Sequence, residues 1–160
     1  MRVFPRILAL ALALIVTAPA LALEANDFPY PGVRVIATGL DYPTLIKRLN
    51  AAVKKNKMGL VTRASATLGA KKIGKTIAGN MVIGVYRPDF AVRMLAASVA
   101  AGIEAPLRFY ITENADGTAT LSYRTPSAVF APYGGADLDA MAKELDQIFA
   151  RIAAAATEPR

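Results

Sequence analysis

Four residues, Asn114-Ala115-Asp116-Gly117, limit the folds open to this chain more than any others. Asp-Gly favours the backbone of a tight turn. The runs on either side, Leu107 to Glu113 and Thr118 to Thr125, alternate apolar and polar residues. Together they predict a β-hairpin and therefore an antiparallel sheet. Three further stretches read as strands. Val33 to Thr38 alternates weakly, and Met81 to Tyr86 (MVIGVY) has the composition of a buried strand. Gly59 to Leu68 places Leu60, Thr62, Ala64 and Ala66 on one face.

Helical spacing marks the rest. Asp41 is positioned to cap a helix that tolerates Pro43 in its first turn and carries Leu45, Ile46, Leu49 and Val53 on one face to about Asn56. Pro88 opens a second helix, reaching about Ala101 with Gly102 as its stop. A third, about 136–155, lines up Leu138, Met141, Leu145, Ile148, Phe149 and Ile152. The predicted order is β-α-β-β-α-β-β-α in a single α+β domain, with a mainly antiparallel sheet and helices on one face. The other face is then polar, with Arg34, Arg63, Ser65, Arg108, Tyr110, Ser122 and Arg124; it is solvated, a subunit interface or a binding surface.

The N-terminus reads as a secretion signal. Arg2 and Arg6 precede the apolar run Ile7 to Val16, and Ala20-Leu21-Ala22 fits the small-residue cleavage rule. This predicts a signal peptide over 1–22, an arm over 23–32, a domain over 33–155 and a tail over 156–160. The destination is periplasmic or secreted. Membrane contact is expected only through the signal before cleavage.

Composition removes whole classes of chemistry. The chain has no Cys and no His. Disulfides, thiol nucleophiles, His-based triads and His- or Cys-ligated metals are excluded. No catalytic residue, metal site or cofactor is predicted. Met58, Met81, Met94 and Met141 stand at core-like positions, and Asp137 and Asp139 fall in a first helical turn, where carboxylates favour the helix dipole.

Charge is polarised. Ten basic residues and no acidic one lie between Tyr42 and Pro88, whereas Asp89 to Arg160 holds six basic and nine acidic residues. The basic block is either a solvated face or an anion-binding surface. Gly69-Ala70-Lys71-Lys72-Ile73-Gly74-Lys75-Thr76 matches the phosphate-binding pattern G-x-x-x-x-G-K-[ST]. Only Ile77 and Ala78 separate Thr76 from Gly79-Asn80, so the long helix such a loop needs has no room. Residues 69–79 are expected to form a mobile, solvated basic loop or a short helix instead, and a simpler phosphate or carboxylate clamp by Lys71, Lys72 and Lys75 is the alternative role. No nucleic-acid-binding motif is present, and none is expected of an exported chain.

Several segments in series resemble the domain of unknown function 302 family over about residues 34–153. They are Tyr42–Asn56 followed by Met58-Gly59-Leu60-Val61, Met81 through Pro88, Glu104-Ala105-Pro106-Leu107-Arg108, and Asp116 through Tyr123 with Pro126. The resemblance implies an α+β domain with the topology of a TATA-binding-protein-like single repeat, often dimeric. It implies no reaction. Tyr86-Arg87-Pro88 and Glu104-Ala105-Pro106 stand where the resemblance implies Gly-Asn-Pro and Asp-Leu-Pro turns.

The expected function is non-enzymatic binding of a small anionic ligand or a partner, as a homodimer. Arg87, Arg93 and Glu104 near the strand–helix turn and Lys72 and Lys75 of the basic loop are the candidate ligand-binding residues, with Arg supplying a fork for carboxylate or phosphate and Lys a point charge. Glu104 is also expected to pair with Arg93 or Arg87. Two alternatives remain: an acid–base enzyme using Tyr, Lys or Glu, and an envelope-associated protein whose basic half meets anionic headgroups. N-terminal sequencing of the secreted protein is expected to begin at Leu23.

Overall fold

The predicted hairpin lies at the middle of the sheet. The structure, a computed structural model, describes residues 27–158. The signal predicted over 1–22 and its cleavage site lie outside the described residues. β4 (Leu107–Glu113) and β5 (Thr118–Arg124) pair antiparallel around Gly117, whose φ of +83° only glycine adopts at ease. Asp116 Oδ1 locks the turn by accepting from the Thr118 amide at 3.0 Å and hydroxyl at 2.6 Å. β1 (Val33–Asp41) adds beside β5. β3 (Asn80–Tyr86) adds beside β4, and β2 (Gly59–Ser65) beside β3. All neighbouring pairs are antiparallel in the order β1-β5-β4-β3-β2.

Helices α1 (Tyr42–Lys55), α3 (Pro88–Ala97) and α5 (Ala136–Thr157) complete the single α+β domain. Asp41 caps α1 as predicted, accepting from the Thr44 amide at 2.7 Å. The predicted stripe of α5 is buried, and Phe149 stacks on Phe109 of β4 at 4.7 Å between centroids, 15° apart. Tyr123 of β5 tilts against both rings. Met58, Met81, Met94 and Met141 are all core residues.

Two short helices extend the predicted order. α2 (Ala66–Lys72) begins where the second strand was expected to continue to Leu68. Ser65 ends that strand, its hydroxyl accepting from the Leu68 amide at 3.1 Å, and only two turns later does the chain become loop. α4 (Pro126–Phe130) follows β5 because Thr125 caps it and Pro126 fits its first position. α3 stops at Ala97, short of the predicted Ala101. Ser98 turns extended and its hydroxyl starts a 3-10 turn, Ala100–Glu104, by accepting from the Ala101 amide at 3.3 Å. A cis Ala105–Pro106 bond then leads into β4.

The polar face needs one correction. Arg34 pairs with Tyr123, Arg63 with Ile83 and Ser65 with Met81, so these three project on the helix side, at the sheet's two margins. In β2 the cause is a bulge: Leu60 pairs with Val85 but Thr62 with Gly84, leaving Val61 as an extra residue. The parity of the strand flips there. Leu60 joins the core while Thr62 and Ala64 turn to the open face. Arg108, Tyr110, Ser122 and Arg124 do share the open face.

Removing the ring that joins α5 to β4 is expected to be costly. Phe149→Ala should lower the free energy of unfolding by about 3–5 kcal/mol, the range for truncating a buried aromatic, as measured by urea denaturation.

Candidate functional site

The open face of the sheet carries a cavity of about 340 Å³. Strand pairing builds its floor. Val35, Ser122, Tyr110 and Val82 form one cross-strand row on β1, β5, β4 and β3. Phe109 pairs with Tyr123, and one residue further along each strand the same register sets Arg108 across from Arg124. Two cations opposite one another repel. Val82, Tyr110, Ser122 and the two arginines line the cavity together with Phe28 of the arm, Val33, Leu107, Val129 and Glu104.

Each polar group here has a defined state. Ser122 is 2% exposed, and its Oγ has no hydrogen-bond partner among the described residues. The Arg124 guanidinium donates to the Ala128 carbonyl at 3.0 Å and lies 5.1 Å from the Tyr30 ring centre, which fixes its plane; its buried Nε has no partner among the described residues. The Tyr110 hydroxyl accepts from Asn80 Nδ2 at 2.5 Å. Glu104 is the one carboxylate among the lining residues, and it accepts from the Tyr133 hydroxyl at 2.8 Å. That bond, with the carboxylate's charge, raises the Tyr133 pKa above the usual phenol value. Neither the Arg87–Asp89 nor the Arg93–Glu144 ion pair involves Arg108 or Arg124.

The residues singled out from sequence fall in three places. Arg87 and Arg93 come together over the Phe90 ring, at 4.2 and 5.3 Å from its centre. Each is held by a carboxylate of its own chain. Arg87 donates to both oxygens of Asp89 at 2.7 and 3.0 Å, and Arg93 to both oxygens of Glu144 at 2.8 and 2.7 Å. Glu104 therefore pairs with neither arginine, contrary to expectation; Asp89 and Glu144 lie closer to their forks, and Glu104 turns to Tyr133. Beside Phe90 there is only a crevice of about 30 Å³, room for one water and no ligand body. Lys72 ends α2 and Lys75 follows it in the exposed segment toward β3, so these two stand apart from both arginines and from the cavity. The phosphate-loop pattern spans the end of α2, with Gly69 inside the helix. Hairpin register alone could have found the Arg108–Arg124 pair, by counting back from Gly117 along both strands. The walls Phe28 and Val129 carry no such signal.

The family model for the domain of unknown function DUF302 matches residues 34–156. The chain belongs to the DUF302 family. A crystal structure of an uncharacterized conserved DUF302 protein from Bacillus stearothermophilus aligns with this domain at a TM-score of 0.67 and 18% identity, covering 78% of this chain and 95% of that one. At that identity the likeness is one of fold. No curated protein matches the chain. The DUF302 resemblance and the α+β fold expected from the sequence are thus both established.

The Glu104–Tyr133 bond has a measurable signature. The raised phenol pKa means that the bond's contribution to stability is complete below about pH 10, the unfolded tyrosine value, and is lost as pH rises through the folded value. Alkaline difference absorption should show Tyr133 ionising late, together with Tyr42 and Tyr123, whose pKa values burial raises. Glu104→Gln should bring one tyrosine of that late group back toward its ordinary range. An unchanged titration would show that the bond does not form in solution.

Proposed function

We propose that this DUF302 domain is an exported, non-enzymatic binding module for a small ligand with an apolar body and a carboxylate. The observation that carries the reading is the strand register that sets Arg108 across from Arg124 on a 340 Å³ cavity with apolar walls. An anion between the arginines would replace their repulsion with two charge-assisted contacts. The apolar walls suit a hydrocarbon body, and the volume falls at the small end of ligand sites. The anion-holding role moves from Arg87 and Arg93, whose forks are filled by Asp89 and Glu144, to Arg108 and Arg124.

Glu104 and Tyr110 share this cavity, which favours acid–base catalysis as the second reading. Tyr133 argues against it as the acid, because the Glu104 bond moves its pKa further from neutral pH, where a general acid works best. The homodimer implied by the family resemblance has a surface of suitable character in Val92, Leu95, Val99 and Ile103, aliphatic residues exposed along α3 and the 3-10 turn. Export rests on the N-terminal signal pattern.

Titration calorimetry with three probes of one tail length tests the binding reading: decanoate, decanol and decyltrimethylammonium. Decanoate is expected to bind at least about tenfold more tightly than the other two, a preference of roughly 1.4 kcal/mol. Arg108→Ala and Arg124→Ala should each abolish that preference. Equal affinity for all three heads would sink the reading. Turnover of any probe would favour the enzyme.

A further inference from the structure

Away from the cavity, at the β2 margin of the sheet, one short segment combines features that a solvated surface does not need. α2 has no buried residue, and positions 71–78 after its first turn are all exposed. Yet the segment carries aliphatic side chains: Leu68 is 60% exposed, Ile73 74% and Ile77 45%. Val61, the bulge residue of β2, is also exposed. The segment also carries Lys71, Lys72 and Lys75, and Arg63 is exposed on the preceding strand, with no acidic residue anywhere between Tyr42 and Pro88. Neither the Arg87–Asp89 nor the Arg93–Glu144 pair uses these cations. Leu68, Lys71 and Lys72 share one helical face by their spacing.

The segment is held in place. The Thr67 hydroxyl accepts from the Asn80 amide at 2.7 Å and donates to the Ala78 carbonyl at 3.1 Å. The Lys75 amide bonds the Ala70 carbonyl at 2.9 Å. Gly79 exchanges bonds with Glu113: its amide donates to the carboxylate at 2.6 Å, and its carbonyl accepts from the Glu113 amide at 2.8 Å. A side chain at Gly79 would meet the Tyr42 ring at 2.7 Å, so glycine is what lets the chain lie this close to α1. The result is a fixed projection of aliphatic and cationic groups.

We propose that the segment 66–78, with Val61 and Arg63, docks this domain on an anionic lipid surface. Lysines reach lipid headgroups while aliphatic side chains enter the acyl boundary, and a projection with nothing buried meets a flat bilayer without a groove. A second copy of the chain is a poor occupant, since a twofold contact would set lysines against lysines. A protein partner is also disfavoured. Protein interfaces enrich aromatic residues and Arg and deplete Lys, and this segment holds three lysines and no aromatic residue. The docking surface stands independently of the cavity and its ligand.

Co-sedimentation with vesicles tests this, using the form spanning 23–160, which contains every described element and its closed core. Binding is expected to phosphatidylglycerol-containing vesicles and to be far weaker to pure phosphatidylcholine. Each basic residue near an anionic surface contributes about fivefold in partitioning. Lys71→Gln/Lys72→Gln/Lys75→Gln should therefore reduce binding by about a hundredfold. The control Lys47→Gln/Lys54→Gln/Lys55→Gln has the same net charge but alters exposed positions of α1, and should retain most binding. Leu68→Ser/Ile73→Ser should leave only binding that salt removes. Thermal unfolding of each variant confirms that it is folded. Equal loss in both lysine triples, or equal binding to neutral vesicles, would overturn the proposal. So would native mass spectra showing a lipid-free oligomer that Leu68→Ser/Ile73→Ser dissociates.

Discussion

Phe149 lying flat on Phe109 is the contact on which the other parts depend. It joins the longest helix to the middle of the sheet, and Tyr123 closes the cluster from the next strand. Aromatic pairs of this kind add about 0.5–1.5 kcal/mol beyond the area they bury. Their larger effect here is on parity. Once Phe109 and Tyr123 face α5, their neighbours Arg108, Tyr110, Ser122 and Arg124 must face the other way, because side chains alternate along a strand. The core and the cavity are two sides of one register.

That register explains why cations assemble where no carboxylate neutralises both. Arg87 and Arg93 instead meet carboxylates, Asp89 and, across α3 and α5, Glu144. Both of those pairs are partly solvated and stabilise little. Arg124 is instead held by a backbone carbonyl and a tyrosine face, which orient its guanidinium without cancelling its charge. The Glu104 carboxylate is turned toward Tyr133. The domain thus holds Arg87 and Arg93 in ion pairs on the helical side and presents Arg108 and Arg124 on the open side.

The parts of this arrangement that local chemistry dictates were legible in the chain. Asp116-Gly117 defined the hairpin, Asp41 the start of α1, and the apolar stripe Leu138 to Ile152 the helix over the core. What escaped was set by events between segments. The bulge at Val61 reverses the strand's parity, and nothing in Gly59-Leu60-Val61-Thr62 announces it; only the pairing with Val85 and Gly84 does. Arg87 and Arg93 looked available because their partners were not yet placed. Glu144 lies fifty-one residues from Arg93 and becomes its neighbour only through helix packing. Ser122 and Arg124 were correctly placed on the polar face. Their enclosure depends on Phe28 and Val129, brought in by an arm and a short helix that no periodicity marks.

The sheet order has a consequence for the timing of folding. β1, the first strand of the domain, pairs with β5, and the Thr38 hydroxyl bonds to the Ala119 carbonyl across eighty-one residues of sequence. Val33 to Asp41 therefore emerges from the ribosome long before its partner exists, and closing so wide a loop is slow compared with forming the β4–β5 hairpin. Through most of synthesis the domain is a chain with a free leading strand. For the export route proposed above, that delay is an asset. A chain whose first strand must wait for its last remains threadable until nearly all of it has been made.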